Sequence, residues 1–222
     1  MASRELSIRV DEKIGDVTAI FERPRGAKAL LVLAHGAGAG MRHRFMEDLV
    51  PRLAGRAVAT LRYQFPYMEK GGRRPDSRRI LLSTVRAASA RGVELARGLP
   101  VYAGGKSMGG RMTSLAASEE PLAAVDGIVF LGFPLHAAGK SGVERADHLR
   151  SVGVPMLFLQ GTRDPLADLE SIRSVCERLG RKARIHVVDG GDHSFHVRKR
   201  SGRTEDEVLD ELADQVASFV TG

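Results

Sequence analysis

Short apolar runs alternate along the chain with longer segments in which apolar residues return every three or four positions, and that alternation predicts the fold class. The runs at residues 17–21, 30–34, 57–61, 101–104, 127–131, 156–160 and 184–188 have strand length. Several, such as Leu30-Leu31-Val32-Leu33-Ala34, are apolar at every position, which predicts strands covered on both faces. Between them, Leu81, Val85, Ala88 and Leu95 share one helical stripe that stops before Gly98 and Pro100. Val208, Leu212, Val216 and Phe219 form another, entered through Thr204 and Glu207 at capping-box spacing. Strands alternating with helices predict right-handed crossovers. The expected architecture is α/β, a mostly parallel sheet with helices on both faces and functional loops at the carboxyl ends of the strands. Residues 6–10 and 17–21 lie close enough to pair as an antiparallel edge hairpin.

No linker, repeat or low-complexity segment divides the chain, so residues 1–222 are expected to form a single domain. Cys176 is the only cysteine, which excludes an intramolecular disulfide and gives no sign of an oxidising compartment. Residues 1–11 carry no apolar signal core, and no stretch approaches the roughly 18 apolar residues of a membrane span. The expectation is a cytoplasmic protein without a membrane partner. A formal net charge of +7 raises nucleic-acid binding as a function class. The positive residues gather only partly, around Arg73, Arg74, Arg78 and Arg79 and around His196, Arg198, Lys199, Arg200 and Arg203, without the interleaved aromatics on which bases stack. They read as a solvated arginine-rich surface, and the nucleic-acid class is set aside.

The strongest chemical signal is Gly105-Lys106-Ser107-Met108-Gly109, following the run at 101–104 and opening a small-residue helix. A serine on so sharp a strand-to-helix turn takes a strained backbone, and glycines two residues to either side let neighbouring elements approach without a clashing Cβ. The turn lifts the Ser107 hydroxyl above the sheet and leaves the Met108 amide at a helix start, where developing negative charge is stabilised. Two phosphate-binding readings fail. A P-loop ending in Gly105-Lys106-Ser107 requires glycine where Pro100 stands, and a dinucleotide fingerprint in Gly36-Ala37-Gly38-Ala39-Gly40 requires glycine where Met41 stands.

Leu33-Ala34-His35-Gly36-Ala37-Gly38 after the neighbouring strand, together with this serine turn, resembles the α/β-hydrolase superfamily. The resemblance implies an α/β-hydrolase fold with no separate lid domain and an oxyanion hole made by the amides of Ala37 and Met108, while His35 orients its loop. It also implies the chain order serine, acid, histidine. Asp164, in Gly161-Thr162-Arg163-Asp164-Pro165, and His193, in Gly191-Asp192-His193-Ser194-Phe195, each follow a later strand and complete the candidate triad with Ser107. Asp189 and Asp192 compete as the acid but lie too near His193 in sequence to reach around its ring; His196 competes as the base. His43, His136, His148 and His186 lack metal-ligand spacing, so neither a metal nor another cofactor is expected.

A narrower resemblance covers most of the chain. The blocks at residues 35–40, 61–67, 104–111, 159–164 and 191–195 are similar to small hydrolases related to the testis-expressed hydrolase-like proteins and to a domain of a chromatin-complex subunit; dienelactone hydrolases, with a cysteine nucleophile, are more distant. The implied function is hydrolysis of a small carboxylic ester, or a thioester or amide, through an acyl-enzyme on Ser107. Scaffold members of the family supply the alternative, a non-catalytic interaction domain. Tyr63, Leu135 and His136 are the candidate substrate-pocket residues, with residues 64–76 as a further wall. Arg73, Arg74 and Lys106 read as solvated charges that an anionic substrate could use.

Overall fold

The computed structural model describes residues 2–222, so residue 1 of the expected 1–222 domain lies outside the described residues. Eight strands, β1 (Ala2–Asp11), β2 (Gly15–Arg23), β3 (Ala29–Ala34), β4 (Val58–Tyr63), β5 (Val101–Lys106), β6 (Gly127–Leu131), β7 (Met156–Gly161) and β8 (Ala183–Val188), form one sheet in the order β1-β2-β4-β3-β5-β6-β7-β8. From β4 to β8 every neighbouring pair is parallel. The hairpin of β1 and β2 is antiparallel and joins β4 antiparallel at one edge. All seven apolar runs fall on these strands, with one displacement: Ala57 takes φ 59° ahead of β4, which instead continues through Arg62 and Tyr63 in register with Leu33 and Ala34. The charge of Arg62 is accommodated inside the sheet by ion pairs to Glu22 and Glu47.

Alternation along the buried strands feeds two cores. Leu30, Val32 and Ala34 of β3 face the side covered by α3 (Arg78–Ala96), which follows the single-turn α2 (Pro66–Glu69), and by α4 (Met108–Glu119) and α5 (Leu169–Leu179). Leu31 and Leu33 face the side covered by α1 (Arg44–Gly55) and α6 (Glu205–Thr221). Each such leucine is removed from water completely, contributing roughly 1.5–3 kcal/mol before entropy. A central strand so buried needs apolar residues on both faces, which explains the uninterrupted run. The capping box at α6 forms as the spacing predicts: the Glu207 N–H donates to Thr204 Oγ1 at 3.2 Å and the Thr204 N–H donates to Glu207 Oε2 at 2.7 Å. Carboxyl ends of β3, β5, β6 and β7, and the turn after β8, open on the same edge of the sheet and carry every candidate site residue except Tyr63, which ends β4.

Candidate active site

β5 passes into α4 through a single residue. Ser107 has φ 51° and ψ −115°, a conformation that costs a non-glycine residue on the order of 1–3 kcal/mol. Its surroundings hold it there: the Ser107 N–H donates to the Leu131 carbonyl at 3.1 Å, and the Arg111 N–H closes the first helical turn on the Ser107 carbonyl at 3.1 Å. The flanking glycines permit this geometry. A Cβ on Gly105 would stand 2.2 Å from the Ala34 carbonyl oxygen, and one on Gly109 would stand 2.5 Å from the same oxygen. The turn therefore packs backbone against backbone on the end of β3, and the serine side chain is left facing outward.

Two distant turns meet it. The Ser107 hydroxyl donates to His193 Nε2 at 2.8 Å, and His193 Nδ1 donates to Asp164 Oδ2 at 2.7 Å. The Asp164 side chain is completely buried, whereas that of His193 is 20% exposed. Buried carboxylates need several donors. Asp164 has them, accepting from the Gln160 amide nitrogen on Oδ2 and from the Leu166 N–H at 2.8 Å on Oδ1. A carboxylate on Nδ1–H fixes the tautomer in which Nε2 accepts. The acid turn and the histidine turn are stitched together beside this line: the Arg163 N–H donates to the Gly191 carbonyl at 2.9 Å and the Gly190 N–H to Thr162 Oγ1 at 2.8 Å. Gly161 lies so close to Gly191 that a Cβ would stand 2.2 Å from its carbonyl oxygen.

The competing residues are engaged elsewhere. Asp192 Oδ1 accepts the Ser194 and His196 amides at 2.8 and 3.0 Å and so builds the histidine loop. Asp189 faces Thr162, and exposed His196 pairs with Glu205 at 2.7 Å.

The loop after β3 is held from behind by the Gln64-Phe65-Pro66-Tyr67 segment. Fully buried His35 donates from Nδ1 to the Gly36 carbonyl at 2.7 Å and accepts the Phe65 N–H on Nε2 at 3.1 Å. Burial pushes its pKa down to about 4, so it is a neutral brace. Tyr67 Oη accepts the Gly38 N–H at 3.0 Å, and Gln64 Oε1 accepts the Met41 N–H at 2.8 Å. Ala37, between these anchored residues, is exposed.

Two sequence expectations change. Lys106 is not a solvated charge: its ammonium donates to the His193 carbonyl and lies 5.9 and 5.6 Å from the ring centroids of Phe45 and Phe195. Of the three candidate pocket residues, Tyr63 (1% exposed) and Leu135 (0%) are core residues with no surface to offer a ligand, because both pack into the core on the α3, α4 and α5 side of the sheet. His136 alone remains partly exposed, its Nδ1 against the Ala137 carbonyl at 3.0 Å. A cleft of about 260 Å³ adjoins the histidine loop on its α1 and α6 side, lined by Phe45, Phe195 and Leu209 with His43, His196 and Glu205 among its polar residues. Gln160, Tyr67 and Lys106 are the supporting residues that sequence reasoning missed. For Gln160 the signal was present, a lone polar residue in an apolar run that proves fully buried.

With that geometry in place, the relatives are informative. A family profile described as an alpha/beta hydrolase domain matches residues 27–221. The chain belongs to this family. As an alpha/beta hydrolase it is similar to a dienelactone hydrolase from Anabaena variabilis, at TM-score 0.76 and 20% identity, over 98% of this chain and 95% of that one. An alpha-beta serine hydrolase homologue from Coxiella burnetii matches at TM-score 0.75 and 17% identity over 99% of this chain and 98% of its own. An α/β serine hydrolase without a lid from Xanthomonas campestris matches at TM-score 0.72 and 16% identity over 97% and 95%. These likenesses show the alpha/beta hydrolase fold that the motifs imply. Among the described residues no helix is long and apolar enough to cross a membrane.

Proposed function

We propose that this alpha/beta hydrolase is a serine hydrolase that cleaves small carboxylic esters through an acyl-enzyme on Ser107. The observation that carries the reading is the unbroken hydrogen-bonded line from Ser107 Oγ through His193 to Asp164 at 2.8 and 2.7 Å, assembled from three separate turns. A serine hydroxyl is a weak nucleophile without an adjacent base. In the first step Oγ bonds to the ester carbonyl carbon as its proton passes to His193 Nε2. The carbonyl oxygen becomes an oxyanion. As the intermediate collapses, the carbon–oxygen bond to the alcohol breaks and the imidazolium protonates the departing alcohol. Water then repeats the sequence on the acyl-enzyme, releasing the carboxylic acid and restoring the serine hydroxyl. Asp164 remains a carboxylate throughout and stabilises the imidazolium.

The amides of Ala37 and Met108 suit the oxyanion. Among the described residues neither N–H has an acceptor within the protein, although the Gly38 and Ala39 amides beside Ala37 are both engaged. Met108 also begins α4, so the helix dipole adds to its attraction for negative charge. Structural neighbours that include an esterase domain from Rhodothermus marinus and a cold-adapted esterase support an ester as substrate.

Purified protein is expected to hydrolyse short p-nitrophenyl esters and to be labelled at Ser107 by a fluorophosphonate probe. Ser107→Ala should lower kcat by about 10⁴-fold or more and abolish labelling. A Ser107→Ala protein as active as its parent overturns the reading, and folded parent protein that resists the probe favours the non-catalytic interaction domain.

A further inference from the structure

Lys106 stands one residue before Ser107, yet its side chain runs to the opposite side of the proposed triad. Alternation along β5 sends Tyr102 and Lys106 toward the face covered by α1 and α6. There the ammonium meets three things: the backbone carbonyl of His193, the ring of Phe45 at the start of α1, and the ring of Phe195 in the histidine loop. The two rings stack on each other with centroids 5.9 Å apart and planes inclined by 20°. Among the described residues Lys106 is the sole donor to the His193 carbonyl. Cation and imidazole also border the same small space: a Cβ on Gly132 would lie 3.3 Å from Lys106 Nζ and 3.5 Å from His193 Cε1.

An ammonium in such surroundings has lost most of its hydration, and two aromatic faces return only part of that loss. A methionine would fill the same space without the penalty, so packing alone does not account for the charge. What the charge uniquely supplies is a directed, charge-assisted bond to the backbone of the residue whose ring receives the serine proton.

We propose that Lys106 is a positioning residue for hydrolysis: by gripping the His193 carbonyl, its ammonium keeps the imidazole aimed at Ser107 Oγ. The grip is independent of substrate, so it acts on kcat and leaves KM alone. It also depends on the lysine proton. Burial lowers the Lys106 pKa to about 8, with Asp164 and Asp192 opposing the fall. Those carboxylates and His193 are the titratable groups that face it from the turns after β7 and β8; α1 contributes Phe45 and the turn after β6 contributes Gly132, neither of them charged. Above that pH the bond becomes a neutral amine bond, and kcat declines.

The proposal rests on Ser107 and His193 acting as described above, and its test keeps the two apart. Lys106→Met, Lys106→Arg and Ser107→Ala are compared with the parent across pH 6 to 10 on a short p-nitrophenyl ester, with folding checked by circular dichroism. Lys106→Met is expected to lose roughly 10- to 100-fold in kcat with KM within about twofold, and to lose the inflection near pH 8. Lys106→Arg, whose charge persists, should recover most of kcat and hold it past that pH. In the parent, ¹³C NMR of Lys106 Cε should inflect at pH about 8 with the His193 carbonyl carbon moving in step. Unchanged kcat and pH profile in Lys106→Met, with Ser107→Ala inactive, overturns the lysine role alone. So does a Lys106 titration to which the His193 carbonyl does not respond. A fully active Ser107→Ala instead removes the nucleophile reading beneath it.

Discussion

The two halves of the site are built by different physics. The serine half, from the end of β3 through the β5 turn into α4, is fixed by backbone approaching backbone: Gly105 and Gly109 lie against the Ala34 carbonyl with no room for a methyl group. The histidine half hangs in a loop after β8, held by a carboxylate, an ammonium, a buried amide and a pair of stacked rings. Steric fixing is insensitive to pH and intolerant of one added atom. Polar fixing tolerates changes of volume and depends on who holds each proton. Under the proposed function, the serine proposed as nucleophile sits on the first kind of support and the histidine proposed as proton carrier on the second, and each then has the kind of freedom its task requires.

Asp164→Asn breaks the comparison most severely on the histidine side. The side chain keeps its volume, but its nitrogen can no longer accept from Nδ1, and presenting that NH₂ to the ring favours the tautomer in which Nε2 carries the proton and cannot take another from Ser107. A fall in kcat of about 10⁴-fold is expected, with the folded structure retained and KM little changed. Steady-state kinetics would reveal it; a fall of less than about tenfold would mean that Asp164 does not orient His193. On the serine side the corresponding change is Gly109→Ala. Its Cβ would meet the carbonyl oxygens of Ala34 and His35 at 2.5 and 2.7 Å, and both belong to a buried central strand and its exit. No flexible side chain can yield there, so destabilisation of roughly 4 kcal/mol or more is expected in chemical unfolding. Loss of under about 1 kcal/mol would show that the serine half is not sterically fixed.

The same division explains what was legible in the sequence. Steric constraints leave local marks: a fully buried strand is an apolar run, and a turn without space for Cβ is a glycine at a set distance from Ser107. The sheet, both covering layers, the capping box at Thr204 and the serine turn could therefore be read along the chain. Asp164 and His193 carried no comparable local mark, and chain order supplied by resemblance singled them out. Polar support was read least well. Lys106 looks like any surface lysine until β8 and α1 place a carbonyl and two rings around it, and Tyr63 and Leu135 look like pocket walls until helices cover them. Gln64 and Tyr67 act on residues in another strand's turn, and Gln160, besides donating to Asp164 four residues on, accepts the Phe133 N–H from the turn after β6, so these cross-strand partners are invisible to spacing.

Proton linkage separates the halves in one further measurement, smaller in effect than either substitution. His35, the brace of the serine half, falls from 6.5 to about 4 in the folded protein, whereas Lys106, in the histidine half, falls from 10.5 to about 8. Each is a base whose folded pKa is lowered, so the unfolded chain binds more protons between the two values and stability rises with pH across that window. For His35 the window is pH 4 to 6.5: stability is lost as acid charges the unfolded imidazole first, by up to about 3 kcal/mol. His148, half-buried and lowered to about 4, adds to the same acid limb. For Lys106 the window lies between pH 8 and 10.5, where stability climbs by up to about 3 kcal/mol as the cost of the buried ammonium is relieved. Unfolding free energies from urea titrations across pH 4 to 10.5 should thus rise along an acid limb to a plateau and rise again from pH 8; from about pH 9 the Cys176 thiol, pushed up to about 12 by burial, opposes that alkaline limb, so its full size is read as the difference between the parent and Lys106→Met. Lys106→Met should erase the alkaline limb and raise the plateau while leaving the acid limb in place, making the protein more stable and less active at once. If the alkaline limb survives that substitution, the ammonium of Lys106 is not what the histidine half sacrifices stability to keep.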